Sequence, residues 1–502
     1  MTTEIEATEA TRLLPPESSS LREADENAIR DAEHLYTDWE SPIDPTNPKN
    51  WRPARKWTCA MIVSIYCLIA PTAASMVVPA MPALGRDLNM TSSGVLQMTL
   101  SAFVLGWGTG PLILGPLSEI FGRAPLLHVG QLGFMIFNVL CAFVRNPHLF
   151  LFLRFVSGLF GSGPTALGTG VLSDLWVSDE RGMSLAVYTI MPLLGPTAGP
   201  LLGGYIIQYH HWRYIFLLCS ALTGIFLAFG IFMLPETFGP RILHRKRVAK
   251  LKKMNVLVPQ TMRGEGLKNL IKKSLVRPFV LLGTQPIIQV LAVYFGYLFG
   301  LYQLTISTFH AVWKDVYGES DMVSSLNYIA MTVGLIVGCE IAGPLNDKIY
   351  RSLKRRNNNI DLPEYRIWLM IPGAILVPIG MLWFGWSAAT RSHWIMPNIG
   401  MGIAAVGLVM GFQCMQAYVM DAYPVYAASA MGALTVLRSL AGFCMPIFGP
   451  AMNRTLGYGW ASTVLALIAG VVGGVTPFLL HWKGASLRAR SPYAAGDVKV
   501  VL

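Results

Sequence analysis

Three ionisable side chains interrupt long apolar stretches of this sequence: Arg154, Glu340 and Arg438. Each costs at least ~2.5 kcal/mol at the centre of a bilayer, so each needs an aqueous cavity or a partner. Glu340 lies seven residues before Asp347, about 10 Å deeper by helical rise. A carboxylate desolvated there holds its proton more tightly and can exchange it as a cavity opens to either side. That makes Glu340 the first candidate for proton coupling; the plainer reading is a hydrogen bond that locks neighbouring helices.

A second chemistry is written twice. Gly115-Pro116-Leu117-Ser118-Glu119-Ile120-Phe121-Gly122-Arg123 and Gly343-Pro344-Leu345-Asn346-Asp347-Lys348-Ile349-Tyr350-Arg351 both read G-P-L-x-acid-x-x-x-Arg. Gly115 admits close approach of another backbone. Acid and arginine four apart can pair on one helical face or reach across to a neighbour. A contact made only when one mouth is shut biases a two-state equilibrium. Gly115, Glu119, Gly122, Arg123, Asp347 and Arg351 are therefore read as a cytoplasmic gate, against ion pairs that merely fix helix ends. Asp174-Leu175-Trp176 and Asp421-Ala422-Tyr423 form a further echo.

Gly195, Gly199 and Gly203 recur every four residues, with Pro196 and Pro200 beside them, and Gly334, Gly338 and Ala342 repeat the spacing. Such stripes are almost free of side chains, and the prolines bend the helix. The expectation is that the two stripes face each other as a packed seam between two halves; ordinary packing inside one half is the alternative. Aromatics and amides cluster at Gln289, Tyr294, Tyr297 and Tyr302, and again at Gln413 and Gln416, which suits an adaptable, mostly apolar substrate pocket.

The elements that must carry these residues are membrane helices. The 502 residues are 53% hydrophobic and only 13% charged, about half the charge of a soluble chain. Apolar stretches at roughly 57–80, 93–117, 125–144, 148–173, 183–207, 213–234, 279–304, 325–346, 367–387, 394–420, 428–452 and 457–482 predict an all-α membrane protein. Its twelve transmembrane helices form two pseudo-symmetric six-helix bundles, 57–234 and 279–482. Residues 1–56 form a polar, disordered cytoplasmic tail, 235–278 a basic cytoplasmic loop and 483–502 a second tail. Glu9 with Leu13-Leu14 has the spacing of a sorting signal, although chance is the simpler account. No cleavable leader is apparent near the start.

The net charge of +11 is topological. Arg241 to Arg277 holds twelve Lys/Arg against the single Glu265, and Lys348 to Arg356 is basic too, as cytoplasmic loops are. No nucleic-acid partner is expected. The sequons at Asn89 and Asn453 fall in outer loops as candidate glycosylation sites. The seven cysteines lie within apolar stretches without metal or disulfide spacing, and neither a metal nor a cofactor is expected. No GxxxxGK[ST] phosphate loop is present, which disfavours an ATP-driven pump.

The chain resembles the fungal twelve-span drug:proton antiporter family of the major facilitator superfamily. Gly115 to Arg123 is similar to that superfamily's first loop signature, with Glu119 where Asp is common and Ala124 where a second basic residue is common. Arg154 with Gly158 is similar to the fourth-span signature, which implies a part for Arg154 in proton transfer. Gly195 to Gly204 resembles the fifth-span antiporter signature, which implies export. Asn50-Trp51, Trp212-Arg213, Leu234-Pro235-Glu236-Thr237, Arg277-Pro278 and Pro363-Glu364-Tyr365-Arg366 are further matches, so the resemblance covers residues 44 to about 490. It implies a monomeric, proton-coupled exporter of small amphipathic drugs, toxins or secondary metabolites in the plasma membrane, with the vacuolar membrane as the alternative. The competing reading is an uptake or facilitative carrier for a polar nutrient, organic acid or polyamine. No nucleophile–base pair supports an enzyme.

Overall fold

The computed structural model describes residues 39, 41, 43–177, 180, 182–253, 267–489, 491, 493 and 494. The Glu9–Leu14 signal lies outside the described residues. Among these residues all regular structure is helical. Eleven helices are long and apolar enough to cross a membrane. The last, Ala427–Ala489, reverses at Gly457, where φ is 73°, and so comprises two. The twelve spans are Pro53–Ser75, Ser93–Phe121, Arg123–Phe143, Pro147–Leu175, Gly182–Tyr209, Arg213–Met233, Pro286–Tyr317, Tyr328–Arg356, Met370–Ala389, Ile395–Ala422 and the two arms around Gly457.

Local chemistry sets several of these starts. Pro53, Pro147 and Pro286 stand in first turns, where an amide would have no intrahelical partner. Asn146 caps span four by accepting from the amides of His148 and Leu149. The break before Pro286 moves span seven: apolar residues from Phe279 belong to a separate helix, Leu267–Thr284, and the span runs to Tyr317 rather than ending near 304.

Parts of the stretches flanking the bundles are structured, although residues 1–38 of the first tail lie outside the described residues. The central segment contains the basic helix Gly239–Lys253. Ahead of span one, Asp44, Pro48 and Trp51 are buried, and Asp44 accepts from Lys246 at 3.0 Å. Burial alone would raise the Asp44 carboxyl, but hydrogen bonds from Thr46 and Lys246 hold it down at about 2.

The two halves repeat one packing scheme. Span one packs on five, two on four and three on six; span seven packs on eleven, eight on ten and nine on twelve. Between halves, span two meets eleven, with Gly108 against Ser439, and span five meets eight. The outer surface carries apolar side chains such as Phe152, Phe232, Phe448, Phe478 and Trp482, as lipid contact requires. Arg52, Arg55, Lys56, Arg123, Lys348 and the basic helix gather at one end of the bundle, called here the basic end.

Candidate functional site

A cavity of about 290 Å³ lies between the halves. Span seven contributes Phe295, Phe299, Tyr302, Gln303 and Ile306, which at i, i+4, i+7, i+8 and i+11 form one helical face. Span two contributes Leu100, Phe103, Val104 and Trp107 by the same rule. Pro71, Ala74, Ser75, Pro192, Leu193, Pro196, Leu335, Val409, Phe412, Gln416 and Arg438 complete the wall. The Ser75 hydroxyl lies within hydrogen-bond distance of the carbonyls of Pro71 and Thr72 in its own helix and of Gly195 in span five, where it joins spans one and five beside the cavity. The result is an aromatic chamber with few polar groups and one cation.

Four of the expected pocket residues point elsewhere. Tyr294 is buried against Gly411 of span ten. Tyr297 donates to the Leu465 carbonyl of span twelve, Gln289 is exposed and donates to the Gly283 carbonyl, and Gln413 ties span ten to Cys339 of span eight. Tyr302 and Gln416 do line the cavity. Helical phase was the usable signal: Tyr294 and Tyr297 are off the face that Phe295 and Phe299 define.

At the end opposite the basic one, the halves are closed on each other. Thr197 donates to the Tyr328 carbonyl at 3.2 Å and its hydroxyl contacts that of Thr332. A methyl at Gly204 would strike Ser325, and one at Gly94 would touch Ile447. Spans five and eight therefore meet, but not through their stripes. Gly195, Gly199 and Gly203 lie on Pro71, Ser75 and Met76 of the first span and its exit; Gly334 and Gly338 lie on Gly402 and Val406 of span ten. The expected seam across the halves is corrected to packing inside each half, because the stripe of each helix is spent on its own bundle. Of its prolines, Pro196 lines the cavity and Pro200 is buried within span five.

The gate residues also pair differently. Arg123 donates from Nε to Asp174 at 2.9 Å, and its own amide donates to Glu236. In the second half Arg366 donates to Asp347 at 2.6 Å and to Asp421 at 2.9 Å. Among the described residues Arg351 reaches the backbone carbonyl of Asp347 and no carboxylate. The cause is at Gly122: φ of 93° turns the chain there, so Arg123 begins the next helix and swings toward span four. Tyr350 occupies the matching place and span eight runs on to Arg356. The counterpart of Arg123 is thus Arg366, and the Asp174/Asp421 echo was the signal for it. Gly115 has open space around it rather than a close-packed backbone. The side chain of Glu119 lies outside the described residues. None of the ion pairs described at this end joins one half to the other: five lie within a half, and Lys246–Asp44 ties the central segment to the stretch ahead of span one.

Glu340 is outside the cavity wall, on the outward face of span eight that also carries Val333, Val337 and Ile341. Arg154 is fully buried; its Nε donates to the Thr99 carbonyl at 2.9 Å and its guanidinium lies over Phe103 and Phe216. Gly158, against the Phe103 carbonyl, lets span four approach closely enough for that contact. Asn89 is exposed at a left-handed turn, whereas Asn453 is half-buried inside a helix.

Residues 63–446 match the model of the Major Facilitator Superfamily. The chain is 48% identical to the MFS-type transporter oryF of Aspergillus oryzae, over 97% of this chain and 98% of that one. It is 41% identical to the efflux pump vrtL of Penicillium aethiopicum, over 96% and 95%. Among solved structures, a bacterial homologue of the lysosomal transporter Spinster, inward-facing and unoccupied, aligns with a TM-score of 0.65 at 15% identity, over 88% of this chain and 100% of that one. The proton:xylose symporter XylE aligns with a TM-score of 0.63 at 17% identity, over 86% and 96%.

Proposed function

The chain belongs to the Major Facilitator Superfamily and is a multi-pass membrane transporter, and we propose that it exports small amphipathic compounds by proton-coupled alternating access. The observation that carries this reading is the aromatic chamber walled by both halves and shut at one end by Thr197, Thr332 and Gly204. The basic end is assigned to the cytoplasm by the excess of Lys and Arg there, so the chamber loads from inside and the closed end is the outer mouth. The identity to a relative described as an efflux pump supports the outward direction.

In this reading the Arg123–Asp174 and Arg366–Asp347–Asp421 pairs brace the inner ends of the halves as they rock. Glu340 exchanges the coupled proton from the outward face of span eight, while Arg154 contributes by holding spans two, four and six together. The bundles at 57–234 and 279–482 are the rocking units, the carrier works as a monomer in the plasma membrane, and Asn89 is the sequon presented for glycosylation.

The test uses inside-out vesicles containing the protein and an acid lumen. Amphipathic fluorophores are expected to accumulate, and to leak back when a protonophore collapses the gradient. Accumulation indifferent to the gradient would remove the proton coupling. Accumulation only in right-side-out vesicles would reverse the direction.

A further inference from the structure

Arg438 stands on span eleven in the wall of the central cavity. Its guanidinium lies 4.9 Å from the ring of Phe299, 5.4 Å from Phe295 and 5.5 Å from Trp107. Its Nε is buried without a partner, and the side chain makes no hydrogen bond or ion pair among the described residues. Among the described residues no aspartate or glutamate is in the cavity wall; the other polar groups there are Ser75, Tyr302, Gln303, Gln416 and the indole N–H of Trp107, a further buried donor without a partner.

A guanidinium stays charged at any physiological pH. Enclosed by aromatic faces it gains cation–π attraction, yet the planar fork of N–H donors is left unspent. That fork matches the geometry of a carboxylate and binds it bidentately. A positive ligand in the same chamber would meet a like charge at close range with no acid to screen it. A neutral carbonyl could accept from one of the donors, but without the charge or the two-oxygen match of a carboxylate.

Resting on the carrier reading above, we propose that the transported compounds are amphipathic aromatic anions, carboxylates or ionised phenols and enols. The acidic group sits on the Arg438 guanidinium and the apolar body lies along Leu100, Phe103 and Phe412. Polyamines and other cations are excluded by the same residue. At about 290 Å³ the chamber is at the small end of ligand pockets, which suits a fused-ring acid.

The experiment measures binding of 2-naphthoate, 2-naphthamide and 2-naphthylmethylammonium to the purified full chain in nanodiscs at neutral pH. These probes share one ring system and differ in charge. The acid is expected to bind at least tenfold more tightly than the amide, with the ammonium weakest. Arg438→Gln should bring the acid down to the level of the amide, and Arg438→Lys, which keeps the charge and loses the fork, should keep the acid ahead of the amide by a smaller margin. Equal affinity of acid and amide for the wild type, a preference for the ammonium, or an acid preference that survives Arg438→Gln would overturn the assignment. Should Arg438→Gln fail to fold, the wild-type ranking and the lysine variant still decide. Uptake of all three probes into wild-type inside-out vesicles, with no preference for the acid, would sink the anion assignment and leave the carrier reading standing. Preferred binding of the acid without uptake of any probe would uphold the anion site and count against the carrier.

Discussion

Arg154 and Arg438 pose the same problem to the membrane and are answered in two ways. Both are arginines inside apolar spans, both lie against aromatic faces, and neither has a carboxylate partner among the described residues. Arg154 is sealed in the first bundle, with its Nε on the Thr99 carbonyl and its two terminal nitrogens buried against aromatic rings without hydrogen-bond partners. Arg438 borders the chamber between the halves, with its donors uncommitted. Residue type is the same and neither guanidinium is saturated with acceptors; what distinguishes them is that Arg154 is enclosed in one bundle, where no ligand can reach it, and Arg438 borders the space between the two.

The largest expected contrast comes from truncation. Arg154→Ala removes a charged hydrogen bond and two aromatic contacts and leaves a void, and it should cost about 3 kcal/mol, read as lower thermal stability in detergent. Arg154→Met, which refills the space and removes an uncompensated charge, should recover much of that loss. Arg438→Ala should shift the melting curve far less. Equal losses at both sites would break the comparison.

A smaller effect is expected from moving the helices that position Arg154. Gly158→Ala drives a methyl into the Phe103 carbonyl and should cost roughly 1–3 kcal/mol as overpacking. Gly115→Ala, with open space around it, should be close to neutral. A destabilised Gly115→Ala with a tolerant Gly158 would reverse the assignment of which glycine carries packing.

The smallest effect is one of pH at the outer mouth. A hydrogen bond from Trp212, with His211 and Arg213 beside it, holds the Asp87 carboxyl below its usual range. A carboxylate depressed by folding adds stability above its unfolded pKa of about 3.9 and loses it as pH falls through the folded value. Thermal stability from this cluster should therefore be flat from neutral to about pH 5 and decline only in stronger acid, and Asp87→Asn should flatten that decline. It should leave the Arg438 binding step untouched, since Asp87 is outside the chamber wall.

Much of this was legible in the sequence, and the failures share a cause. Apolar length located the twelve spans, and the duplicated G-P-L-x-acid-x-x-x-Arg segments marked the ends of spans two and eight in the two halves. Span seven was placed too early because Phe279 to Leu282 is apolar, although Pro286 opens the span that reaches Tyr317. Polarity suggested Gln289, Tyr294, Tyr297 and Gln413 for the pocket, whereas helical phase selects Phe295, Phe299, Tyr302 and Gln303. The stripes of Gly195 and Gly334 were rightly read as packing surfaces, but sequence spacing carries no information about which helix fills them. The same holds for Arg366, whose partners Asp347 and Asp421 come together only in three dimensions.

The central claim is that solute crosses by alternating access through the chamber between the halves. Thr197 and Thr332 touch at the outer mouth, and the native cysteines are buried or half-buried. A Thr197→Cys, Thr332→Cys double variant should therefore form a disulfide that locks the mouth shut. The account predicts that oxidation halts uptake of amphipathic fluorophores into inside-out vesicles and that a reductant restores it. Uptake continuing at the full rate with the disulfide formed would contradict it.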